Sequence, residues 1–184
     1  MDNGTGSYRR FLSGDKDALE EIVKEYRPGL EAYINSIVKN FAVAEDLTED
    51  TFVKLLAKKP KDKGEATFKT WLYTIGRNVA LDWLRKNPHG RFVPYDEIDG
   101  VLSDERQFKK MYFNEEIKQA VHDALGEINP DYRQVLMLSY FEGFTIEEIS
   151  AIIKKSKRNT SVILHRAKKA LKNQLEKENF HYEI

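Results

Sequence analysis

The chain has 184 residues, 41% of them apolar, with 30 Lys and Arg set against 30 Asp and Glu, which suffices for a core in one large domain or two small ones. It has no cysteine and only four scattered histidines (His89, His122, His165, His181), so disulfides and thiol chemistry are excluded and no metal or other cofactor is expected. No window approaches the roughly 20 apolar residues of a membrane span, and the polar stretch Met1 to Arg10 lacks a signal peptide's apolar segment; the expectation is a soluble, cytoplasmic protein.

In chain order, apolar spacing reads as helix nearly throughout. Gly14-Asp15, where Asp can cap free amides, precedes a first helix carrying Leu19, Ile22, Val23 and Tyr26. Pro28 cannot donate to a continuing helix but suits a first turn, so Leu30, Tyr33, Ile34, Ile37 and Val38 predict a second or kinked segment, with Asn40 and Phe41 leading out of it. Ala44 to Lys58 reads as a third helix with Leu47, Phe52, Leu55 and Leu56 facing a core. Glu45, Asp46, Glu49 and Asp50 stand early in it, where the helix dipole favours anions. After the polar loop Pro60 to Glu65, Phe68, Leu72, Ile75, Val79 and Leu84 recur at helical spacing as far as Lys86.

Residues 87–113 contain Pro88, Gly90, Pro94 and Gly100 without a sustained period, as an interdomain linker would. The expected architecture is therefore all-α, with two small helical domains, 1–86 and 114–184, joined by a linker. In the second domain Ile117, Val121 and Leu125 resume the helical spacing, and Asn129-Pro130 reads as a cap and first-turn proline for a helix with Val135, Leu136 and Leu138. Thr145-Ile146-Glu147-Glu148 is a capping box, with Phe144 and Ile149 placed to staple it. A short helix to about Ile153, a polar turn, and a long basic helix with Val162, Ile163, Leu164, Ala167, Leu171 and Leu175 fit a helix-turn-helix.

The zero net charge hides segregation. Residues 1–53 hold 6 basic and 11 acidic side chains, and 54–86 hold 9 and 3. The pattern repeats, with 2 and 8 in residues 114–153 and 9 and 3 in 154–184. A polyanion such as DNA would be drawn to the two basic segments and turned away from the acidic ones; solvated helix faces account for such runs equally well.

At this point several strings stand together in order. The N-terminal half has Tyr26-Arg27-Pro28, Ala44-Glu45-Asp46-Leu47-Thr48-Glu49-Asp50-Thr51-Phe52 and Phe68-Lys69-Thr70-Trp71-Leu72, then Ile75 to Asp82. The C-terminal half has Arg133-Gln134-Val135-Leu136, Phe141 to Ile149 and Leu164 to Leu171. The chain from Gly14 to Glu176 thereby resembles a bacterial extracytoplasmic-function (ECF) sigma factor, the two halves being similar to sigma regions 2 and 4. The resemblance implies a protein that binds core RNA polymerase and promoter DNA, directs transcription initiation and has no covalent chemistry of its own. It also admits an anti-sigma factor as a partner.

Carried onto these residues, the resemblance places polymerase docking on Asp46, Glu49, Asp50 and Thr51. The three carboxylates lie three or four apart on one side of a helix, opposite Leu47, Phe52 and Leu55. The fourth helix and its approaches combine Lys54, Lys61, Lys63, Lys69, Arg77 and Arg85 with Phe68, Trp71, Tyr73 and Trp83. Cations and aromatic faces are what unpaired bases need, a stacked base being worth roughly 1–3 kcal/mol. The family positions implied for the minus-10 element are Lys61, Lys63, Lys69, Trp71, Arg77, Asn78 and Asp82, although for Trp71 and Phe68 a place in the core is the stronger reading. For the minus-35 element they are Lys157, Arg158, Asn159, Ser161, His165 and Arg166.

Here the chain departs from the family. Lys154 and Lys155 replace the usual glycine and apolar residue of the turn, and Val162 and Ile163 stand where polar or basic DNA contacts are expected. The departure predicts weaker base selection, with phosphate contacts from Lys154, Lys155, Lys157 and Arg166 supplying most of the affinity. The alternative is that Asn159, Ser161 and His165 form a different, equally sharp reading face, and helical phase leaves Val162 and Ile163 ambiguous between core and surface. Two competing readings are a stand-alone helix-turn-helix regulator, disfavoured by the aromatic and basic fourth helix, and an enzyme. The enzyme's only raw material, Glu115-Glu116 and Glu147-Glu148, consists of adjacent side chains that point apart on a helix.

Overall fold

The computed structural model describes residues 4–58, 67–88 and 115–177. The loop holding Lys61 and Lys63, and nearly all of the expected linker, lie outside the described residues. Among the described residues there are helices and turns but no strand. The chain divides into two compact units.

The first unit holds α1 (Thr5–Leu12), α2 (Asp17–Val38), α3 (Phe41–Lys58) and α4 (Phe68–Lys86). Asp15 begins α2 as expected, its carboxylate accepting from the Asp17 and Ala18 amides at 3.0 and 3.4 Å. The break anticipated at Pro28 is absent, and α2 runs through it as one helix. Ile22, Tyr26, Leu30, Tyr33, Ile34 and Ile37 are all buried on one continuous helical phase. Pro28 lies on the solvent side with Lys24, whose carbonyl loses its partner, and water can satisfy that carbonyl.

The third helix starts three residues before Ala44, because the Asn40 side chain accepts the Val43 amide at 3.2 Å and caps it. Its first turn contains no acidic residue, so the dipole accounts poorly for Asp46, Glu49 and Asp50. Thr67 caps α4 by accepting the Thr70 amide at 3.2 Å. At buried Gly76 a Cβ would lie 2.8 Å from Leu30 Cδ1, so the bare backbone lets α4 approach α2 closely.

Nothing in the polar N-terminal stretch announces α1. Its one buried residue is Tyr8, whose ring stacks on Phe68 at 4.8 Å and meets Trp71 edge-on at 5.5 Å. Phe68 in turn meets Tyr26 at 5.6 Å, so four rings from three helices close one end of the unit.

In the second unit, α5 (Glu115–Glu127) is followed by α6 (Pro130–Leu136), a π-helical turn at Met137–Phe141, α7 (Ile146–Ile153) and α8 (Lys157–Lys177). Asn129 caps α6 by accepting the Asp131 amide at 2.8 Å. Arg133 is buried and donates to three carbonyls at the end of α5 and just beyond it: Leu125 (2.5 Å), Gly126 (2.7 Å) and Ile128 (3.1 Å). These acceptors have no helical donor of their own, so one guanidinium fixes the corner between α5 and α6. Burial lowers its pKa to about 10, which leaves it charged at neutral pH. Ala120, Ala124 and Leu175, with Val121 and Leu171 beside them, bring α8 against α5.

Truncating Tyr8 tests whether α1 belongs to the domain. Tyr8→Ala should destabilise the first unit by about 3 kcal/mol, the usual cost of deleting a buried aromatic ring. Both tryptophans, Trp71 and Trp83, lie in α4, so a lowered urea midpoint by tryptophan fluorescence is the check.

Candidate functional site

On α3, core packing decides what faces outward. Leu47, Thr48, Thr51, Phe52 and Leu55 are buried, and Asp46, Glu49, Asp50 and Val53 are exposed. Thr51 is the exception among the expected docking residues. It is fully buried and its hydroxyl donates to the Leu47 carbonyl at 2.7 Å, so it sits beneath the acidic face rather than on it.

The carboxylates also divide. Arg27 of α2 reaches Glu45 at 3.2 Å, Glu49 at 3.3 Å and Glu31 at 3.7 Å, tying α2 to α3 and neutralising part of the cluster. Asp46 and Asp50 form no ion pair or hydrogen bond among the described residues. Val53, 61% exposed, adds an apolar point beside them. The exposed face of α3 thus carries two carboxylates unpaired among the described residues, with a valine at their edge.

Helical geometry splits the α4 candidates into two stripes. Lys69, Tyr73 and Arg77 follow one another at four-residue steps, with the Lys69 ammonium 5.5 Å from the centre of the buried Tyr73 ring. Trp71, Asn78 and Asp82 occupy another side. Phe68 is buried, whereas Trp71 is half-buried with edge contacts to Tyr8 and Phe68. Asp82 is engaged by Arg85. Arg77 lies close enough to Tyr33 to act on its phenol, although burial dominates and pushes that phenol up.

The helix-turn-helix begins at the capping box, where Thr145 Oγ1 accepts the Glu148 amide at 3.3 Å and Glu148 accepts the Thr145 amide at 2.9 Å. Gly143 precedes it at φ 68°, a conformation that costs glycine little. Phe144 and Ile149, the expected staple, are both buried. The α7–α8 turn is a Schellman closure in which the Lys155 amide reaches the Ser150 carbonyl at 3.1 Å. Its left-handed position is held by Lys154 at φ 55°. The glycine missing from the sequence pattern is therefore missing where backbone geometry favours it.

Across the turn Lys157 pairs with Glu147 at 3.1 Å. That hydrogen bond holds the Glu147 carboxyl below its ordinary value. Lys155 pairs with Asp131 at 3.7 Å.

Thr160, Leu164, Ala167 and Leu175 anchor α8 in the core. Arg158, Asn159, Ser161, His165 and Arg166, all expected at DNA, are exposed. The Ser161 hydroxyl donates to the Lys157 carbonyl at 3.0 Å, which leaves it as an acceptor. Arg158, Arg166 and Lys169 form no ion pair among the described residues. The pair Val162 and Ile163, ambiguous in the sequence, separates: Val162 is 42% exposed, opposite the core positions, and Ile163 is half-buried on the flank.

Two family models match the chain, Sigma-70 region 2 over residues 22–89 and Sigma-70 region 4 over residues 118–171. The RNA polymerase sigma factor CarQ of Myxococcus xanthus is 30% identical, aligned over 78% of this chain and 80% of its own. The chain belongs to the ECF sigma factors. The ECF RNA polymerase sigma factor SigX of Bacillus subtilis is 25% identical over 88% of this chain and 85% of its own.

Among solved structures, the fold is similar to that of the sigma factor RpoE crystallised with the anti-sigma factor NepR from Bartonella quintana (TM-score 0.65, 24% identity, 85% of this chain and 96% of that one). It is also similar to CnrH in complex with the cytosolic domain of CnrY (TM-score 0.69, 20% identity, 95% and 98%). This sigma factor accordingly binds core polymerase and directs promoter recognition, which sets aside the stand-alone regulator. Among the described residues no helix is long and apolar enough to cross a membrane.

The turn gives a test of its own. Lys154→Gly should raise stability by about 1 kcal/mol, because a non-glycine residue in the left-handed region costs about 1–2 kcal/mol, partly offset by glycine's unfolded-state freedom. Lys154→Ala, which removes the same charge but keeps the strain, should not. Urea midpoints by circular dichroism compare the two.

Proposed function

We propose that this sigma factor divides its work among three helices: α3 docks on the polymerase, α4 engages the opened minus-10 strand, and α8 reads the minus-35 duplex. The domain limits are 1–86 and 114–184, with 87–113 as the linker. The observation that supports the docking assignment is the exposure of Asp46 and Asp50, without partners among the described residues, on a helix whose Leu47, Thr51 and Phe52 are committed to the core. Charge left unpaired on a rigid face is available to a complementary partner, and it steers association as well as holding it. Thr51 supports that face from beneath.

Lys69 and Arg77 supply phosphate attraction on one side of α4, and Asn78 can pair with a base edge on the other. Lys61 and Lys63, outside the described residues, are proposed as minus-10 contacts on the resemblance alone. Asp82, paired with Arg85, adds little net negative charge against DNA. The protein contributes no covalent step, catalysis resting with the polymerase, and it works in the cytoplasm where that enzyme is. An anti-sigma factor is proposed as a further partner, since RpoE, which shares this fold, was solved in complex with the anti-sigma factor NepR.

Asp50→Arg should abolish co-purification with core polymerase while leaving the helical circular dichroism spectrum intact, because the reversed charge is exposed and touches neither Leu47 nor Phe52. Undiminished binding would remove the docking role. Lys69→Ala combined with Arg77→Ala should reduce open-complex formation more on a duplex promoter than on one carrying a pre-opened bubble. Equal losses on both would mean general electrostatic attraction rather than melting.

A further inference from the structure

Val162 occupies the centre of the outward face of α8. Counted from the core positions Thr160, Leu164 and Ala167 at about 100° per residue, it lies almost diametrically opposite the buried stripe. Arg158, Arg166 and Lys169, at helical-neighbour spacings of four, four and seven residues, surround it without ion pairs among the described residues. An exposed β-branched side chain ringed by cations has a stiff, preset position and neighbours suited to phosphates. Duplex DNA matches that arrangement.

Inside the major groove the one apolar group on a base edge is the 5-methyl of thymine, and a small aliphatic side chain is the usual complement to it. A second protein would have to bury Arg158 and Arg166 to reach the valine, whereas DNA pairs with them as it does so.

We infer that Val162 is a specificity-determining residue that reads the 5-methyl group of a thymine in the minus-35 element. The inference rests on the assignment of α8 as the reading helix and refines the expectation of weakened selection. Val162 brings apolar readout where hydrogen bonding is the family's habit, while half-buried Ile163 takes no part.

The test uses holoenzyme reconstituted from core polymerase and the full chain, on a promoter selected by that holoenzyme from a randomised library. Each thymine of the upstream element is replaced in turn by uracil, which removes the methyl group and leaves every hydrogen-bonding atom in place. Binding should weaken about threefold at one thymine, in keeping with the loss of one buried methyl contact. Val162→Ala should weaken binding to the thymine template and nearly abolish the uracil penalty at that position alone.

A penalty of equal size in both proteins, or none at any thymine, would overturn the inference. So would a loss from Val162→Ala that is the same on promoters with and without an upstream element, which would mean a protein contact. Scrambling the whole element separates the two levels. If the wild type tolerates it, α8 is not the reading helix and the underlying assignment falls. If scrambling is costly but uracil is not, only the role of Val162 falls.

Discussion

Helical phase is the constraint on which the working surfaces of this sigma factor depend. An α-helix turns 100° per residue, so a stripe committed to the core dictates what is left outside. In α3, burying Leu47, Thr51 and Phe52 presents Asp46, Glu49, Asp50 and Val53. In α8, burying Thr160, Leu164 and Ala167 presents Arg158, Val162, Arg166 and Lys169. On α3 the pairing of Arg27 with Glu45 and Glu49 adds a tie to α2, but the packed stripe sets the direction of the face. Each face is held in place because the opposite side of its helix is packed, so small domains without cysteine can still place charges accurately.

The same economy governs the polar groups inside. Thr48 and Thr51 return their hydroxyls to the helix backbone at 2.7 Å, which lets them fill core positions without unpaired oxygens. Arg133 goes further, spending a whole guanidinium on three carbonyls that the end of α5 leaves without donors. An apolar residue there would fill the space but strand those acceptors, and hydrogen bonds to a charged donor are among the stronger ones available. The charge balance of the chain thus mixes two populations: cations such as Arg133 and Arg27 that hold helices together, and cations such as Arg158 and Arg166 that remain available to nucleic acid.

Most of the architecture was legible because it rests on local rules. The Asn129 cap, the Thr145–Glu148 box and the period of Leu164, Ala167 and Leu175 each depend on residues within a turn or two of one another. What escaped depends on contacts distant in sequence. Tyr8 gives no periodic signal, and α1 is recognisable only once Phe68 and Trp71 arrive from sixty residues away. Pro28 reads locally as a break, yet the buried stripe on either side of it keeps one phase. The site was legible in type rather than in detail. Composition marked α3 as acidic and α8 as basic, but the inward turn of Thr51 and the parting of Val162 from Ile163 required the position of the core.

The attachment of α1 also sets a hierarchy of local stabilities. Tyr8 is its single buried residue, and the ion pairs from Arg10 to Asp15 and Glu21 lie at the surface, where such pairs contribute little. With one buried side chain, α1 has less packing of its own than α2 with its continuous buried stripe, and packing of this kind grades resistance to local opening. Tyr8 covers both Phe68 and Trp71, so the aromatic end of the first unit owes its cover to a helix whose remaining residues are largely polar.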